Sequence, residues 1–460
     1  MLKWVVWGLS ALFVVYNYLQ QVVPGIVTPD LVREFHVGAG GLGTIAALFF
    51  YAYALLQFPV GMTLDRFGPH RPLVAAVCVA ALGSLLFAVS SGAGTAGLAR
   101  LIIGMGASFS FIASLKLVSN WFAPDRFATL AGFTNTAGMI GAAGGGAPLA
   151  LLVAGIGWRG SLLTLGIAGL VLAVLILLFV RDYPPAAINA PPHDGTLPGQ
   201  VTRTAEGWRG GEVSNDRSEA RLVEVRSGRT PTIGTGSISI LSSLRSVVSG
   251  RQTWINALYA TTISIVFVAF GALWGTTYVE KAYSVSRFAA SAAVSLLFLG
   301  AIPGSMFFGW VSDRLRRRRA PMLAAAIGGL TCMCALLYLP GISFTGLRLL
   351  LAALGFFCSA NIVSYAVSHD ISAPGHAGLA LGFLNTCFYG GGAVSQPLVG
   401  WLLDRRSAAH GTVEISSLSA GDFRFALSSV VAALILSLIA SILLKESHPR
   451  ATEGSFQTSS

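Results

Sequence analysis

The hydrophobic pattern divides the chain into twelve long apolar runs. Each run has about 20 residues with few charges, which is the length that a helix needs to cross a bilayer. The runs cover approximately residues 4–27, 42–64, 72–91, 97–118, 129–154 and 158–180, and then 253–279, 289–312, 320–339, 345–367, 378–403 and 424–444. The pattern predicts an all-α membrane protein with 12 transmembrane helices.

The stretch between the sixth and seventh runs has a different composition. Residues 181–252 are rich in Pro, Gly, Ser and alternating charge, and they have no apolar period that could build a core. We therefore expect a disordered cytoplasmic linker at 181–252 between an N-terminal six-helix bundle at 1–180 and a C-terminal six-helix bundle at 253–445. Residues 446–460 are predicted to form a polar cytoplasmic tail.

The two predicted bundles share residues at a nearly constant offset. Gly132-Phe133-Thr134-Asn135-Thr136 corresponds to Gly382-Phe383-Leu384-Asn385-Thr386, and Arg100 corresponds to Arg348. Ala123-Pro124 and Ala373-Pro374 lie at the same offset. Two repeats related by an axis along the membrane normal place a solute site between them, near the midplane. The sequence thus predicts two pseudo-symmetric bundles around a central site.

Composition supports a membrane protein and argues against several other classes. The chain is 54% hydrophobic and 11% charged, whereas a soluble domain carries about 25% charged residues. The net charge of +11 comes mostly from loop and linker arginines, which orientation bias and anionic lipid explain, so we expect no nucleic-acid partner. We find no metal cluster, nucleophile elbow or nucleotide loop, and we expect neither an enzyme nor a cofactor.

The Lys and Arg distribution predicts the orientation. Arg66, Arg71, Arg126 and the run Arg314–Arg319 share one side with the linker and tail if the N-terminus is inside. Acceptors of the Asn-x-Ser/Thr type are absent, which suits a bacterial inner membrane. We expect a multi-pass, monomeric protein with both termini in the cytoplasm.

Two loops share the pattern Gly-x-x-x-Asp-Arg, at Gly61–Arg66 and at Gly309–Arg314. Placed between hydrophobic helices, this pair resembles the loop signature of the major facilitator superfamily, which implies a secondary transporter. One interpretation makes Asp65 a latch that accepts from the start of a helix in the other half; the other makes it a plain helix-end Asp beside a solvated Arg. The candidate gating residues are Gly61, Asp65, Arg66, Gly68, Arg71, Asp313 and Arg314.

Two cations lie on the fourth run. Arg100, followed by Gly104 and Gly106, resembles the fourth-helix motif of the superfamily, which implies a role in solute or proton coupling; the alternative is an arginine that extends to headgroups. Lys116 lies 16 residues later, about 24 Å along the axis. It either faces the central cavity and attracts a solute carboxylate, or extends to the inner membrane surface.

Polar side chains within the apolar runs are candidates for the solute site. Helix 1 carries two i, i+4 pairs, Tyr16 with Gln20 and Asn17 with Gln21, and Asn135 and Asn385 are repeat-related and expected to face each other. Weaker candidates include Gln57 and Tyr365. The candidate substrate-binding residues are Tyr16, Asn17, Gln20, Lys116, Asn135, Tyr259, Asn361, Asn385 and Tyr389.

The solute class follows from a further resemblance. Trp121-Phe122-Ala123-Pro124-Asp125-Arg126 is similar to the loop after helix 4 in the branch that holds organic-anion symporters and lysosomal dipeptide-transporter relatives. This implies a small organic acid or a short peptide, moved by rocker-switch alternating access. No Asp or Glu lies at mid-depth in helices 1, 4, 7 or 10, so both symport and uniport stay open. Multidrug or siderophore efflux and a non-transporting receptor are the alternatives.

Overall fold

The computed structural model describes residues 2–123, 126–184, 247–372, 377–409 and 418–447. The first half contains α1 (Leu2–Phe35), α2 (Ala39–Phe67), α3 (His70–Ala88), α4 (Ala93–Ala107), α5 (Ser110–Trp121) and α6 (Phe127–Phe179). The second half contains α7 (Arg251–Ile265), a π-helical segment (Val266–Trp274), α8 (Gly275–Tyr283), α9 (Arg287–Leu315), α10 (Arg319–Tyr338), α11 (Phe344–Cys358), α12 (Asn361–Ile371), α13 (Ala377–Ala409) and α14 (Ala420–Leu443).

These helices make twelve crossings, as the hydrophobic pattern predicts. Ten helical stretches in the described ranges are long and apolar enough to cross a bilayer. One of them, Thr129–Phe179, has 51 residues and would be about 77 Å long if straight, which is enough for two crossings. Gly157 divides it, because its φ of +75° and ψ of 168° interrupt the helix. The less apolar α13 packs along α2 and supplies the twelfth crossing.

The fourth and tenth crossings are not the single helices that the pattern predicts. Each is interrupted at the same place in the repeat, at Ser108 between α4 and α5 and at Ser359 between α11 and α12. In each case the serine hydroxyl donates to the carbonyl oxygen three residues earlier, at 2.7 Å. Ser305 in the middle of α9 and Ser429 in the middle of α14 make the same kind of bond without a break, so the serine bond accompanies the two interruptions but does not by itself explain them.

The seventh crossing contains a change of helix type that the sequence does not predict. Residues Val266–Trp274 form a π-helix, and every one of them is buried. The side chain of Gln396 on α13 donates to the carbonyl oxygen of Val268 at 2.8 Å, and the indole of Trp274 donates to the carbonyl oxygen of Gln396 at 3.1 Å. The irregular segment is therefore held by reciprocal bonds to α13. Such segments are frequent at functional sites.

The two halves meet most tightly at one end of the molecule. We call the end with the start of α1 and the end of α14 the terminal face, and the opposite end the far face. Near the far face, a Cβ on Gly25 would lie 2.6 Å from the carbonyl oxygen of Ala272, and a Cβ on Gly43 would lie 2.6 Å from that of Gln396. Glycine at these two positions lets backbones of opposite halves approach closely.

Charged contacts follow the same division. At the far face, Arg287 of the second half pairs with Asp30 of the first half at 3.1 Å. At the terminal face, the pair of Lys116 with Asp65 lies within the first half, and the pairs of Arg318 lie within the second half. The structure thus describes the two halves joined at the far face.

Several sequence predictions concern residues outside the described ranges. Most of the predicted linker at 181–252 and of the tail at 446–460 is among them, as are Pro124, Asp125 and Ala373-Pro374. The structure describes only 181–184 and 247–252 of the linker and 446–447 of the tail.

Candidate functional site

A group of tyrosines and amides lies where α1, α2, α12 and α13 meet. We call Tyr18, Tyr53, Gln57, Tyr365, Asn385 and Tyr389 the tyrosine–amide cluster. The amide nitrogen of Asn385 donates to Oε1 of Gln57 at 2.8 Å, and the hydroxyl of Tyr365 donates to Oδ1 of Asn385 at 2.9 Å. Asn385 thus ties the two halves together. The cluster lies near mid-depth, because its member Tyr53 is about 21 Å along α2 from the start of that helix.

Aromatic contacts complete the cluster. The rings of Tyr53 and Tyr389, from opposite halves, have centroids 4.3 Å apart. The half-buried Tyr18 on α1 packs against the hydrophobic core that contains Tyr53 and Tyr389. The ring of Tyr18 fits because Gly138 on α6 has no side chain: a Cβ there would lie 2.8 Å from Cε2 of Tyr18. The cluster offers several uncharged donors and acceptors at the junction of the halves.

Arg100 lies deeper in the first half and is fully buried, with an exposed fraction of 0%. Its Nη1 donates to the carbonyl oxygen of Gln20 at 2.7 Å, and its guanidinium carbon lies 4.8 Å from the centroid of Phe49. Phe49 in turn stacks on Tyr53, with centroids 6.1 Å apart, so one ring separates Arg100 from the tyrosine–amide cluster. The side chain does not extend to headgroups, which removes one of the two interpretations.

The Arg100 guanidinium is only partly satisfied by the protein. Its Nε and Nη2 have no hydrogen-bond partner in the described part of the chain. An unpaired buried donor costs about 1–3 kcal/mol, and more when it is charged. A buried cation without a carboxylate favours an anion supplied from outside the chain.

The four polar side chains of helix 1 form two separate hydrogen-bonded pairs. Asn17 donates to the hydroxyl of Ser110 on α5 at 2.8 Å, and Gln21 donates to Asn17 at 3.4 Å. Gln20 donates to the hydroxyl of Tyr16 at 2.9 Å, and Tyr16 packs on Gly169 of α6. Tyr16 and Gln20 therefore face the interior of the first half and not the junction of the halves.

Three further candidates also lie away from the cluster. Tyr259 is fully buried within the second half, where its hydroxyl donates to the carbonyl oxygen of Met322 at 3.2 Å. Asn361 accepts from its own neighbour Ser364 at 3.0 Å. Asn135 is half-buried on α6, and the hydrogen bonds that the structure describes for Asn385 go to Gln57 and Tyr365, not to Asn135.

Lys116 has a partner that its own helix does not provide. Its Nζ donates to Oδ1 of Asp65 on α2 at 2.7 Å. Both side chains line a groove at the terminal face together with Gly61, and 38% of Lys116 and 70% of Asp65 is exposed. The prediction that Lys116 faces the central cavity is thus corrected, because the pair with Asp65 holds it at the rim. The structure joins one predicted binding residue to one predicted gating residue.

The first gating loop contains a backbone conformation that favours glycine. Gly68 has φ +73° and ψ 164°, a conformation that is nearly restricted to glycine. A Cβ on Gly68 would lie 2.9 Å from the Asp182 carboxylate, which accepts from the backbone N–H of His70 at 2.7 Å. Arg66 lies over the ring of Phe67, and Arg71 is exposed. Asp182 therefore caps α3 next to the loop.

The second gating loop contains a more buried network. Arg318 donates to Asp313 at 2.6 Å and to Asp370 at 3.1 Å, and the exposed fractions of the Arg318 and Asp370 side chains are 9% and 8%. Burial opposes the charge on Arg318, but the hydrogen bonds that Arg318 donates to Asp313 and Asp370 outweigh it, so the pKa of Arg318 is raised. Arg316, in the register of Gly68, has a positive φ of 50°, and Arg314 is exposed. Sequence reasoning missed Arg318, which is one of four consecutive arginines.

Comparison with known proteins agrees with this architecture. The model of the Major Facilitator Superfamily matches residues 9–280 and 257–459, and the chain belongs to that superfamily. It is a multi-pass inner-membrane protein and a transporter of small solutes, not an enzyme.

Two relatives and one solved structure show how similar the chain is to individual proteins. The chain is 24% identical to the probable galactarate/D-glucarate transporter of Bacillus subtilis (strain 168), over 89% of this chain and 88% of that protein. It is 30% identical to the hexuronate transporter of the same organism, but over only 39% of this chain and 42% of that relative. A solved bacterial homologue of the human lysosomal transporter Spinster, described as inward-facing and unoccupied, has 15% identity and a TM-score of 0.69, covering 96% of each chain.

Proposed function

We propose that this transporter moves a small organic anion, with sugar acids as the first candidates and short peptides as the second. The observation that carries the proposal is Arg100, which is fully buried and lacks partners for two of its guanidinium nitrogens among the described residues. A solute carboxylate would supply the two missing acceptors in the bidentate geometry that a guanidinium favours. Arg100 then binds the solute and responds to its presence, which is the coupling role that the superfamily resemblance implies.

The tyrosine–amide cluster suits the remainder of such a solute. Its tyrosine hydroxyls and amides donate and accept hydrogen bonds without adding charge. Galactarate, D-glucarate and hexuronates, for which two of the relatives are named, combine carboxylates with several hydroxyl groups. A site with one buried cation beside neutral hydrogen-bonding groups fits that combination better than it fits a cationic drug.

We further propose that transport proceeds by rocker-switch alternating access of one chain. The tight backbone contacts and the pair of Arg287 with Asp30 close the far face, whereas the described ion pairs at the terminal face each stay within one half. The arginine bias supports a cytoplasmic terminal face. The pair of Asp65 with Lys116 would rearrange when the terminal face closes. Each chain carries both halves, so a monomer is sufficient.

The test is solute flux into proteoliposomes that contain the purified full chain. The panel comprises D-glucarate, galactarate, D-galacturonate, a dipeptide and a cationic dye, each with and without a pH gradient. We expect saturable flux of at least one sugar acid, competed by the others, and no flux in protein-free liposomes. A dependence on the pH gradient would identify proton symport, and its absence would favour uniport.

Other outcomes would replace the proposal. Flux of the dye alone, against its gradient, would favour a drug antiporter. Binding of a sugar acid without any flux, measured by calorimetry, would favour a receptor. Flux of the dipeptide but of no sugar acid would keep the transporter and overturn the first solute class.

A further inference from the structure

A third Gly-x-x-x-Asp-Arg sequence occurs at the far end of α13, at Gly400–Arg405. The two other copies lie at the terminal face, so this one is on the opposite side of the molecule. The Asp404 carboxylate accepts from the backbone N–H of Ala39 at 2.7 Å and from that of Gly40 at 2.8 Å. These groups begin α2 in the other half, so one aspartate of the second half binds a helix start of the first.

Two glycines make room for this carboxylate. A Cβ on Gly38 would lie 2.7 Å from Oδ1 of Asp404, and a Cβ on Gly40 would lie 2.8 Å from Oδ2. Any larger residue at either position would displace the carboxylate from the backbone N–H groups. Gly38 and Gly40 therefore form a slot, which we call the α2 slot, that the Asp404 side chain fills.

The start of α2 has no side-chain cap of its own. Its N-cap residue is Gly38, which forms no side-chain cap hydrogen bond. The corresponding helix of the second half, α9, is capped locally, because the Ser286 hydroxyl accepts from the backbone N–H of Ala289 at 3.3 Å. The residues of the first half near the register of Asp404 are Ala154, Gly155 and Ile156, which have no carboxylate. Thus α2 is capped by a residue of the other half, whereas the related helix α9 is capped by its own Ser286.

We propose that Asp404 is the latch that holds the far face closed, and that the far face opens when Asp404 leaves the α2 slot. A carboxylate that accepts two backbone N–H groups at a helix start gains from charge-assisted bonds and from the helix dipole. Separation of the halves removes this cap and leaves the start of α2 unsatisfied. The inference rests on the proposed alternating access, because a latch needs two states to act between.

The test measures access to the seam from the far face. In a background with the five native cysteines replaced by serine, Ala47→Cys places a thiol on the buried face of α2 below the slot. Its labelling by a membrane-impermeant maleimide is measured from each side of the membrane. We expect Asp404→Ala and Gly40→Ala to raise labelling from the far side at least about tenfold, which corresponds to about 1.4 kcal/mol.

Two matched controls separate the latch from general damage. Gly41→Ala changes the neighbouring glycine, where a Cβ would meet only Val37 of the same segment at 3.2 Å, and Ser286→Ala removes the local cap of α9. Both should leave labelling unchanged. In the Asp404→Ala background, Gly38→Ser restores a local cap at an extended residue suited to it. Thermal stability should then recover while labelling stays high.

Three results would overturn the latch. A further variant, Gly43→Trp, inserts a bulky side chain against the Gln396 backbone and should force the far face open. The first contrary result is that Gly43→Trp raises labelling whereas Asp404→Ala and Gly40→Ala leave it unchanged. Alternating access would survive that result. The second is equal labelling in Gly41→Ala and Gly40→Ala. The third is a return to native labelling when Gly38→Ser is added, which would make Asp404 a cap and nothing more. If even Gly43→Trp fails to raise labelling, the far face does not open and the proposed function fails.

Discussion

Arg100 and Arg348 correspond in the sequence repeat, but the structure sets them about one helical turn apart and in different surroundings, because Arg100 lies four residues before Gly104 and Arg348 lies seven residues before the equivalent Gly355. Arg100 is fully buried beside Phe49, whereas Arg348 is exposed at the start of α11. The backbone around them is alike: a Cβ on Gly104 would meet the carbonyl oxygen of Phe49, and a Cβ on Gly355 would meet that of Leu297 in the equivalent position. The halves therefore repeat a scaffold, but only the crossing built from α4 and α5 carries a buried arginine next to these glycine contacts, among the described residues.

The two gating loops differ in the same way. The first has an exposed pair between Asp65 and Lys116, and the second has a buried pair of Arg318 with Asp370, to which the exposed Asp313 adds a further bond. A duplicated fold keeps the backbone contacts that hold helices together, while surface and cavity side chains diverge. Solute binding is thus expected in the half with the partly unsatisfied Arg100, and rigidity in the half where the buried Arg318 is paired with carboxylates.

The largest expected effect is on the rate of transport, and it tests whether Arg100 and Arg348 differ in function. Arg100→Gln should lower kcat/KM for sugar-acid uptake about 100-fold or more, because it removes the charge that binds the carboxylate, a loss of roughly 2.7 kcal/mol. Arg348→Gln is the matched control and should transport at nearly the native rate. Arg100→Lys keeps the charge without the planar fork and should fall between them. Initial uptake rates in proteoliposomes measure all three, and equal losses in the two glutamine variants would contradict the assignment.

The next effect compares the two gating loops. Asp370→Asn should lower the free energy of unfolding by about 3 kcal/mol, because it leaves the buried Arg318 with a weakened partner. Lys116→Gln should lower it by less than about 1 kcal/mol, since exposed pairs contribute little. Thermal unfolding of the purified variants in one detergent gives the difference. A larger loss in the lysine variant would show that the groove at the first loop, not the second network, provides rigidity.

The smallest effect tests the shared scaffold. Gly104→Ala and Gly355→Ala should each destabilise the protein by about 1–3 kcal/mol, because both Cβ atoms would meet backbone that cannot move aside. Gly94→Ala and Gly309→Ala, where a Cβ meets nothing within 4 Å, serve as controls and should be neutral or slightly stabilising. Unequal losses in Gly104→Ala and Gly355→Ala would show that the two helix contacts are not equivalent.

Sequence reasoning was most successful for properties that depend on local pattern. The twelve crossings follow from run length and polarity, and the register of the repeat follows from pairs such as Asn135 with Asn385. The breaks at Ser108 and Ser359 and the π-helical segment were missed, because a serine or a valine in an apolar run does not reveal which turn of its helix gives way.

The candidate site was predicted only in part. Asn385 and Tyr389 were selected and lie in the tyrosine–amide cluster, whereas Tyr53 was missed. Tyr53 has a ring like many others in the chain, and no local signal gives the face of α2 on which it lies. Tyr16 and Gln20 were selected as a polar pair, but the pair points into the first half.

The sequence by itself determined the membrane class, the number of crossings, the repeat and the positions of the Gly-x-x-x-Asp-Arg loops, because each depends on residues close together along the chain. Only the tertiary structure decided the partners. Lys116 meets Asp65 across 51 positions, and Asp404 meets Ala39 across 365. Such pairs depend on the relative rotation and depth of whole helices, which packing of the two halves fixes and no local pattern records.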